Sequence, residues 1–196
     1  MPIHSGGPGL FLAILALAGC ATPYGEGRVA LRQERYDEAA SHFSEALASD
    51  PARLDARAGL GIARYKLGAL AEAADALRQV IAQAPKHAGA RLYLGLTYLL
   101  KGEDGSAAEQ LAALQDLKPH PRIAAQIDRA LEAIRSGQIS DPLRRFVAVS
   151  LENEVQWERE VREAERAQRV YVEPAWVYWY PYRWHPYRYP YRYWRP

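Results

Sequence analysis

The strongest constraint on this chain is a period of 34 residues. Pro51, Pro85 and Pro119 recur at that spacing, and so do Gly27, Gly61 and Gly95. Between each Gly and the next Pro lies an Ala at one phase: Ala39, Ala73 and Ala107. A large apolar residue follows four positions later: Phe43, Leu77 and Leu111. A unit of this length accommodates two helices and a short turn. One such hairpin cannot bury its own apolar face, but stacked neighbours can. Gly and Ala then belong where two helices approach closely, since a larger side chain would push them apart. The Phe or Leu one turn later fills the gap. Pro belongs at the boundary between hairpins, because it lacks the N–H that a continuing helix needs.

Local motifs sharpen the pattern. "LGIARYKLG" carries Leu60-Gly61 with Tyr65, and "LGLTYLLKG" carries Leu94-Gly95 with Tyr98. "RYDEAASHFSEALASDP" carries Tyr36, Glu38-Ala39, Phe43, Ala46 and Pro51. This resembles the tetratricopeptide repeat over residues 20–120, as three units at 20–53, 54–87 and 88–120. The resemblance implies an all-α solenoid of three helical hairpins whose first helices line a concave surface that takes partner peptides. Carried over by phase, the inward positions are Tyr24, Arg28 and Arg32 in repeat one. In repeat two they are Ile62, Tyr65 and Lys66, and in repeat three Leu96, Leu99 and Leu100. The paired Asn and Lys that grip a C-terminal carboxylate in some relatives are missing. Repeat one also departs from the pattern, with Glu26 where Leu is usual and Glu34 where the turn Gly is usual. A polar outer face suits a capping repeat. Gly105-Ser106 is expected to loosen the start of the second helix in repeat three.

Beyond Pro119, Ile123, Ile127, Leu131 and Ile134 mark one face of a helix over 121–137, closed by Gly137. It reads as a cap on the stack. Asp141-Pro142 reads as a helix cap and first helical residue. A helix over 142–172 follows, with an apolar stripe of Leu143, Val147, Leu151 and Val155. Past Trp157 it is mostly charge, with Glu158 and Arg162, and Glu165 and Arg169, in the favourable order for pairs four apart. That part reads as a solvated helix or as a partner-binding one. The apolar stripe and the leucines at 96–100 each need a cover. The helix is therefore expected to dock there through 143–155, leaving the Arg28/Arg32 end open. The alternative is that these leucines pack on the neighbouring hairpin.

Residues 173–196 form a tail rich in Tyr, Trp, Arg and Pro. Residues 171–196 hold 8 of the 13 Tyr and 4 of the 5 Trp, so the aromatic content is concentrated there. Frequent Pro favours an extended or polyproline II chain. The candidate contacts are Trp176, Trp179, Tyr182, Arg183, Trp184, Arg188, Arg192 and Trp194. Such rings with interleaved Arg can stack on sugars, sit at a headgroup layer or hold phosphates. Peptidoglycan, lipopolysaccharide and the membrane interface are candidate ligands. A disordered end and docking into the chain's own groove remain alternatives.

At the other end, "LFLAILALAG" over 10–19 is uncharged and apolar. It is too short to span a bilayer but right for the core of a signal peptide over 1–19. It runs into Leu17-Ala18-Gly19-Cys20, which resembles a bacterial lipobox. That resemblance implies cleavage before Cys20 and a diacylglycerol on its thiol. Ala21, where Asp would imply inner-membrane retention, points to the periplasmic face of the outer membrane. Thr22-Pro23 reads as a cap and first helical residue, so the body would begin close to the lipid. The only cysteine being Cys20, no intramolecular disulfide can form.

Net charge is +2 at pH 7, which does not make the chain as a whole a nucleic-acid binder. His42, His87 and His120 are not at metal-ligand spacing. "KGEDGS" lacks the terminal Gly-Lys-Ser/Thr of a phosphate loop. No catalytic residue, metal or cofactor is expected. The expected function is a membrane-anchored scaffold or adaptor for an envelope protein. The alternative is an envelope-polymer or membrane-surface binder that works through the tail.

Overall fold

The structure is a computed structural model that describes residues 22–137 and 139–177, with side chains described as far as Ala167. The described residues form eight helices and no strand. They are α1 (Pro23–Arg32), α2 (Tyr36–Ser49), α3 (Leu54–Lys66), α4 (Leu70–Gln83), α5 (Ala88–Lys101), α6 (Asp104–Gln115), α7 (Pro121–Arg135) and α8 (Asp141–Val177). One compact unit ends at Ala148 and a second begins at Val149, within α8.

In the first unit every helix from α1 to α6 packs on its successor, and α1 also meets α3 while α3 meets α5. Among the described residues no comparable contact joins α2 to α4 or α4 to α6. The layer made of first helices is therefore the tighter one, and the stack curves around it. This is an all-α solenoid of the tetratricopeptide kind, with α1, α3 and α5 on the inside.

The repeating residues sit where close approach requires them. A Cβ added to Gly27 would fall 2.9 Å from Phe43 Cδ1, and one on Gly61 would fall 2.7 Å from Leu77 Cγ. At Gly95 the nearest atoms of Leu111 would be 3.2 Å away. Ala39, Ala73 and Ala107 are fully buried, as are Leu77 and Leu111, and Phe43 is nearly so. Prolines 51, 85 and 119 fall in the turns after α2, α4 and α6.

The turn inside each hairpin repeats as well. Arg35 N donates to Ala30 O, Ala69 N to Arg64 O and Glu103 N to Tyr98 O, each at 2.9 Å. This closing bond needs one residue in the left-handed region. Gly68 and Gly102 supply it at φ 77°, but repeat one uses Glu34 at φ 59°. A side chain there costs about 1–2 kcal/mol. A glycine at this position would relieve that cost and lose some of the gain to a more flexible unfolded chain. Glu34→Gly is therefore expected to stabilise the protein by about 0.5–1 kcal/mol in urea melts, and no gain would mean the turn is unstrained.

Three helix ends differ from expectation. α6 begins at Asp104 and runs through Gly105-Ser106 without a break, because Gly105 lies in an open first turn where no packing depends on it. α8 begins at Asp141, with Ser140 O accepting from Arg144 N at 2.9 Å, so Asp141 is already helical and not the cap. Its other end runs to Val177, past Pro174 and into the stretch assigned to the tail. A proline removes one backbone donor, and here it does not end the helix. In the second unit, Glu158 pairs with Arg162 and Gln156 Nε2 donates to Glu160 Oε1 at 2.8 Å. Residues 162–167 are exposed, as in a solvated helix. The Arg169 side chain lies outside the described residues. No described helix is long and apolar enough to cross a membrane.

Candidate interaction surface

The concave surface starts at α1. Thr22 Oγ1 accepts from Gly25 N at 3.2 Å and Pro23 opens the helix, which fixes the direction of its first turn. Tyr24, Arg28 and Arg32 follow one another at spacings of four and so share a face. Tyr24 is half-buried, its ring tilted against Phe43 at 6.0 Å between centroids. Arg28 and Arg32 are exposed. The Arg53 guanidinium lies 3.9 Å from the Tyr24 ring centre, and that of Arg28 lies 5.8 Å from it.

In repeat two, Ile62 and Lys66 are half-buried, and the Lys66 ammonium is 6.0 Å from the Tyr65 ring centre. Tyr65 itself is buried. Its ring meets Tyr93 of α5 edge-on at 5.3 Å, so it forms part of the wall between repeats two and three. In repeat three the structure corrects the expectation outright. Leu96 and Leu99 are fully buried and offer nothing to a partner, while Leu100 is half-buried.

The first turn of α8 also reaches this hairpin. The Arg144 guanidinium donates to the Leu99 carbonyl at 3.3 Å and to both carboxylate oxygens of Asp104, with Nη2 to Oδ2 at 2.9 Å. The start of α8 therefore meets the turn between α5 and α6 through Arg144. Of the expected stripe, Leu151 is fully buried and Val147 and Val155 are half-buried. Leu143 and Phe146 are exposed, at 38% and 68%, whereas Ala148 is buried at 2% and Arg144 reaches inward. An ion pair leads the docking here and Leu143 does not. The pair joins residues 40 apart and carries no periodic signal.

The histidines act locally. His87 caps α5, its Nδ1 accepting from Ala90 N at 3.0 Å, with Nε2 3.7 Å from Asp55. His120 caps α7 in the same way, and His42 lies 3.4 Å from Glu26. Capping by His was not legible from spacing. Among the described residues no group of three His, Cys, Asp or Glu could hold a metal ion. An open hollow of about 370 Å³ between α2, α3 and α4 is floored by Leu47, Leu60 and Ala76, with Arg57, Arg64 and Asp75 at its rim. Arg57 is already engaged with Gln79 and the Pro51 carbonyl, and Asp75 with Arg78. Cys20, with Leu17, Ala18 and Gly19, lies outside the described residues. So do the tail positions Trp179, Tyr182, Arg183, Trp184, Arg188, Arg192 and Trp194, and the side chain of Trp176.

Curved stacks of helical hairpins with an open inner layer are the architecture of repeat proteins that bind other proteins. Two tetratricopeptide-repeat models match this chain, at residues 24–86 and 64–130, and together they cover more than half of it. The chain belongs to the tetratricopeptide-repeat family, and its repeats make it a protein–protein interaction scaffold. The second match runs on into α7, which starts 33 residues after α5 and so stands almost in register as the first helix of a fourth unit. No curated protein is similar enough to this chain to count as a relative.

Proposed function

We propose that this protein is a lipid-anchored adaptor of the bacterial cell envelope that holds a partner protein on the inner surface of repeats one and two. The observation that carries this reading is the division of that surface. At the inner position shared by the three repeats, Arg28 is exposed, Ile62 half-buried and Leu96 fully buried, and Tyr24, Arg32 and Lys66 also keep exposed or half-exposed side chains. A partner segment then has a surface about two repeats long. A photo-crosslinking residue at Ile62 is expected to capture a discrete envelope protein, and one at exposed Glu72 of α4 to capture much less. Equal yields from both positions would count against the groove.

The anchor reading rests on Leu17-Ala18-Gly19-Cys20 and places the protein on the periplasmic face of the outer membrane. Cys20→Ala is expected to abolish palmitate labelling and to move the protein from the membrane fraction to the soluble one. Unchanged labelling would overturn it. The Tyr/Trp/Arg tail supplies a further contact in this reading, to wall polymer or lipopolysaccharide beside the anchor.

A further inference from the structure

We propose that Arg28 and Arg53, gathered around Tyr24, form a clamp for a carboxylate side chain of the protein partner, which makes the ligand an acidic peptide segment. The inference rests on the groove reading above and names the chemistry of its occupant. Arg53 is the N-cap residue of α3 and so belongs to the hairpin after that of Tyr24, yet its guanidinium is 3.9 Å from the Tyr24 ring centre. Arg28 approaches the same ring from within α1, at 5.8 Å. Two exposed guanidinium groups thus converge on one aromatic ring, where each cation is attracted to the π-face.

Neither arginine has an acidic partner among the described residues. The acids nearest in sequence are occupied elsewhere. Glu26 faces His42, Asp50 Oδ1 accepts from Ala52 N at 3.2 Å, and Asp55 faces His87. Both guanidinium groups are thus free of ion pairs, and exposed Arg32 lies one turn beyond Arg28. An Arg held against a ring by its face keeps its in-plane N–H fork for a planar acceptor, and a carboxylate matches that fork in two parallel hydrogen bonds. The ring restricts the fork before the ligand arrives, so less side-chain freedom is lost on binding. Ile62, at the position of Arg28 one repeat on, is half-buried and suits an aliphatic residue of the same segment.

The test uses the full chain carrying Cys20→Ala, so that no lipid complicates the titration. Fluorescently labelled decapeptides of alternating Glu and Leu, and of alternating Gln and Leu, serve as probes. Binding of the Glu peptide is expected to be at least about tenfold tighter than that of the Gln peptide, and to weaken as salt rises. Arg53→Gln and Arg28→Gln are each expected to weaken it about fivefold or more without changing the thermal melt. Arg53→Lys is expected not to restore it, because an ammonium offers no planar fork. Equal binding of the two peptides, no binding of either, or full binding by Arg53→Gln would overturn the clamp. So would a loss of binding to phosphatidylglycerol vesicles in Arg53→Gln with peptide binding intact, which would assign the site to lipid headgroups. Peptide binding that depends on Arg53, with no crosslinked protein from Ile62 in the envelope, would leave the clamp standing and defeat the adaptor reading.

Discussion

Replacing Gly59 with Val is expected to disrupt the junction of repeats one and two and to lower stability by about 3 kcal/mol or more. The reason is the Phe43 ring, which is 1% exposed and has no room to yield. A Cβ on Gly59 would lie 2.7 Å from both Cε atoms of that ring. On another side the ring already meets Gly27, whose Cβ would lie 2.9 Å from Cδ1 and Cε1. Ala at Gly59 gains about 0.5–1 kcal/mol of helix propensity. Forcing a methyl group into a filled core costs about 1–3 kcal/mol. The second effect is larger, so Gly59→Ala is expected to destabilise modestly, and Val, with two further methyl groups, much more. Thermal unfolding followed by circular dichroism would measure both. Phe43→Leu should relieve the clash, so Gly59→Ala should cost less in that background than in the native one. A higher melting temperature for Gly59→Ala would mean that propensity wins and that the close approach is not tight.

The spacing of 34 exposed Gly27, Gly61 and Gly95 but not Gly59, whose counterparts one repeat away are Gly25 and Tyr93. The explanation lies in volume. Phe43 is larger than Leu77, its counterpart in repeat two, so the helix packed beyond it must give up its side chain at position 59. Where Leu77 stands, Tyr93 fits against the same cluster. Periodicity reports what repeats share, and compensating pairs of sizes differ from repeat to repeat. The candidate surface was legible to the same degree. Phase put Tyr24, Arg28, Arg32, Ile62 and Lys66 on the inner layer, but it carried no information about what covers that layer, and so it placed buried Leu96 and Leu99 there too. Arg53 escaped it because it lies in a turn between repeats, where the pattern is silent, and only the folded stack brings it to Tyr24.

Removing the Asp104 carboxylate is expected to loosen the first turns of α8 and to abolish one acid-sensitive component of stability. Arg144 hydrogen-bonds both Asp104 oxygens and the Leu99 carbonyl, and its side chain is only 12% exposed. The Leu99 carbonyl belongs to the last turn of α5, and Asp104 opens α6. The cation thus meets a helix C-terminus, and the carboxylate meets an N-terminus, both in the favourable sense. Asp104→Ala leaves Arg144 largely enclosed with only the exposed Asp141 carboxylate, 3.7 Å from Nε, as counter-charge. Hydrogen bonds to charged groups contribute about 1.5–3 kcal/mol. Asp104 is a third exposed, so solvent screening puts the cost near the lower end. Hydrogen bonding from Arg144 holds the Asp104 carboxyl below its ordinary value of 3.8, against the opposing effect of burial. A carboxyl depressed in the folded state stabilises fully above its unfolded value and loses that contribution as pH falls through the folded one. Urea melts of the native protein should therefore show a component lost below about pH 4, and Asp104→Asn should lack it. Hydrogen exchange over 143–148 should rise in Asp104→Ala, and the double change with Arg144→Ala should cost less than the sum of the single ones. An equal loss of stability from about pH 7 to about pH 3 in native protein and Asp104→Asn would show that the pair contributes nothing, and the buried Ala148 face would then hold α8 in place by packing alone.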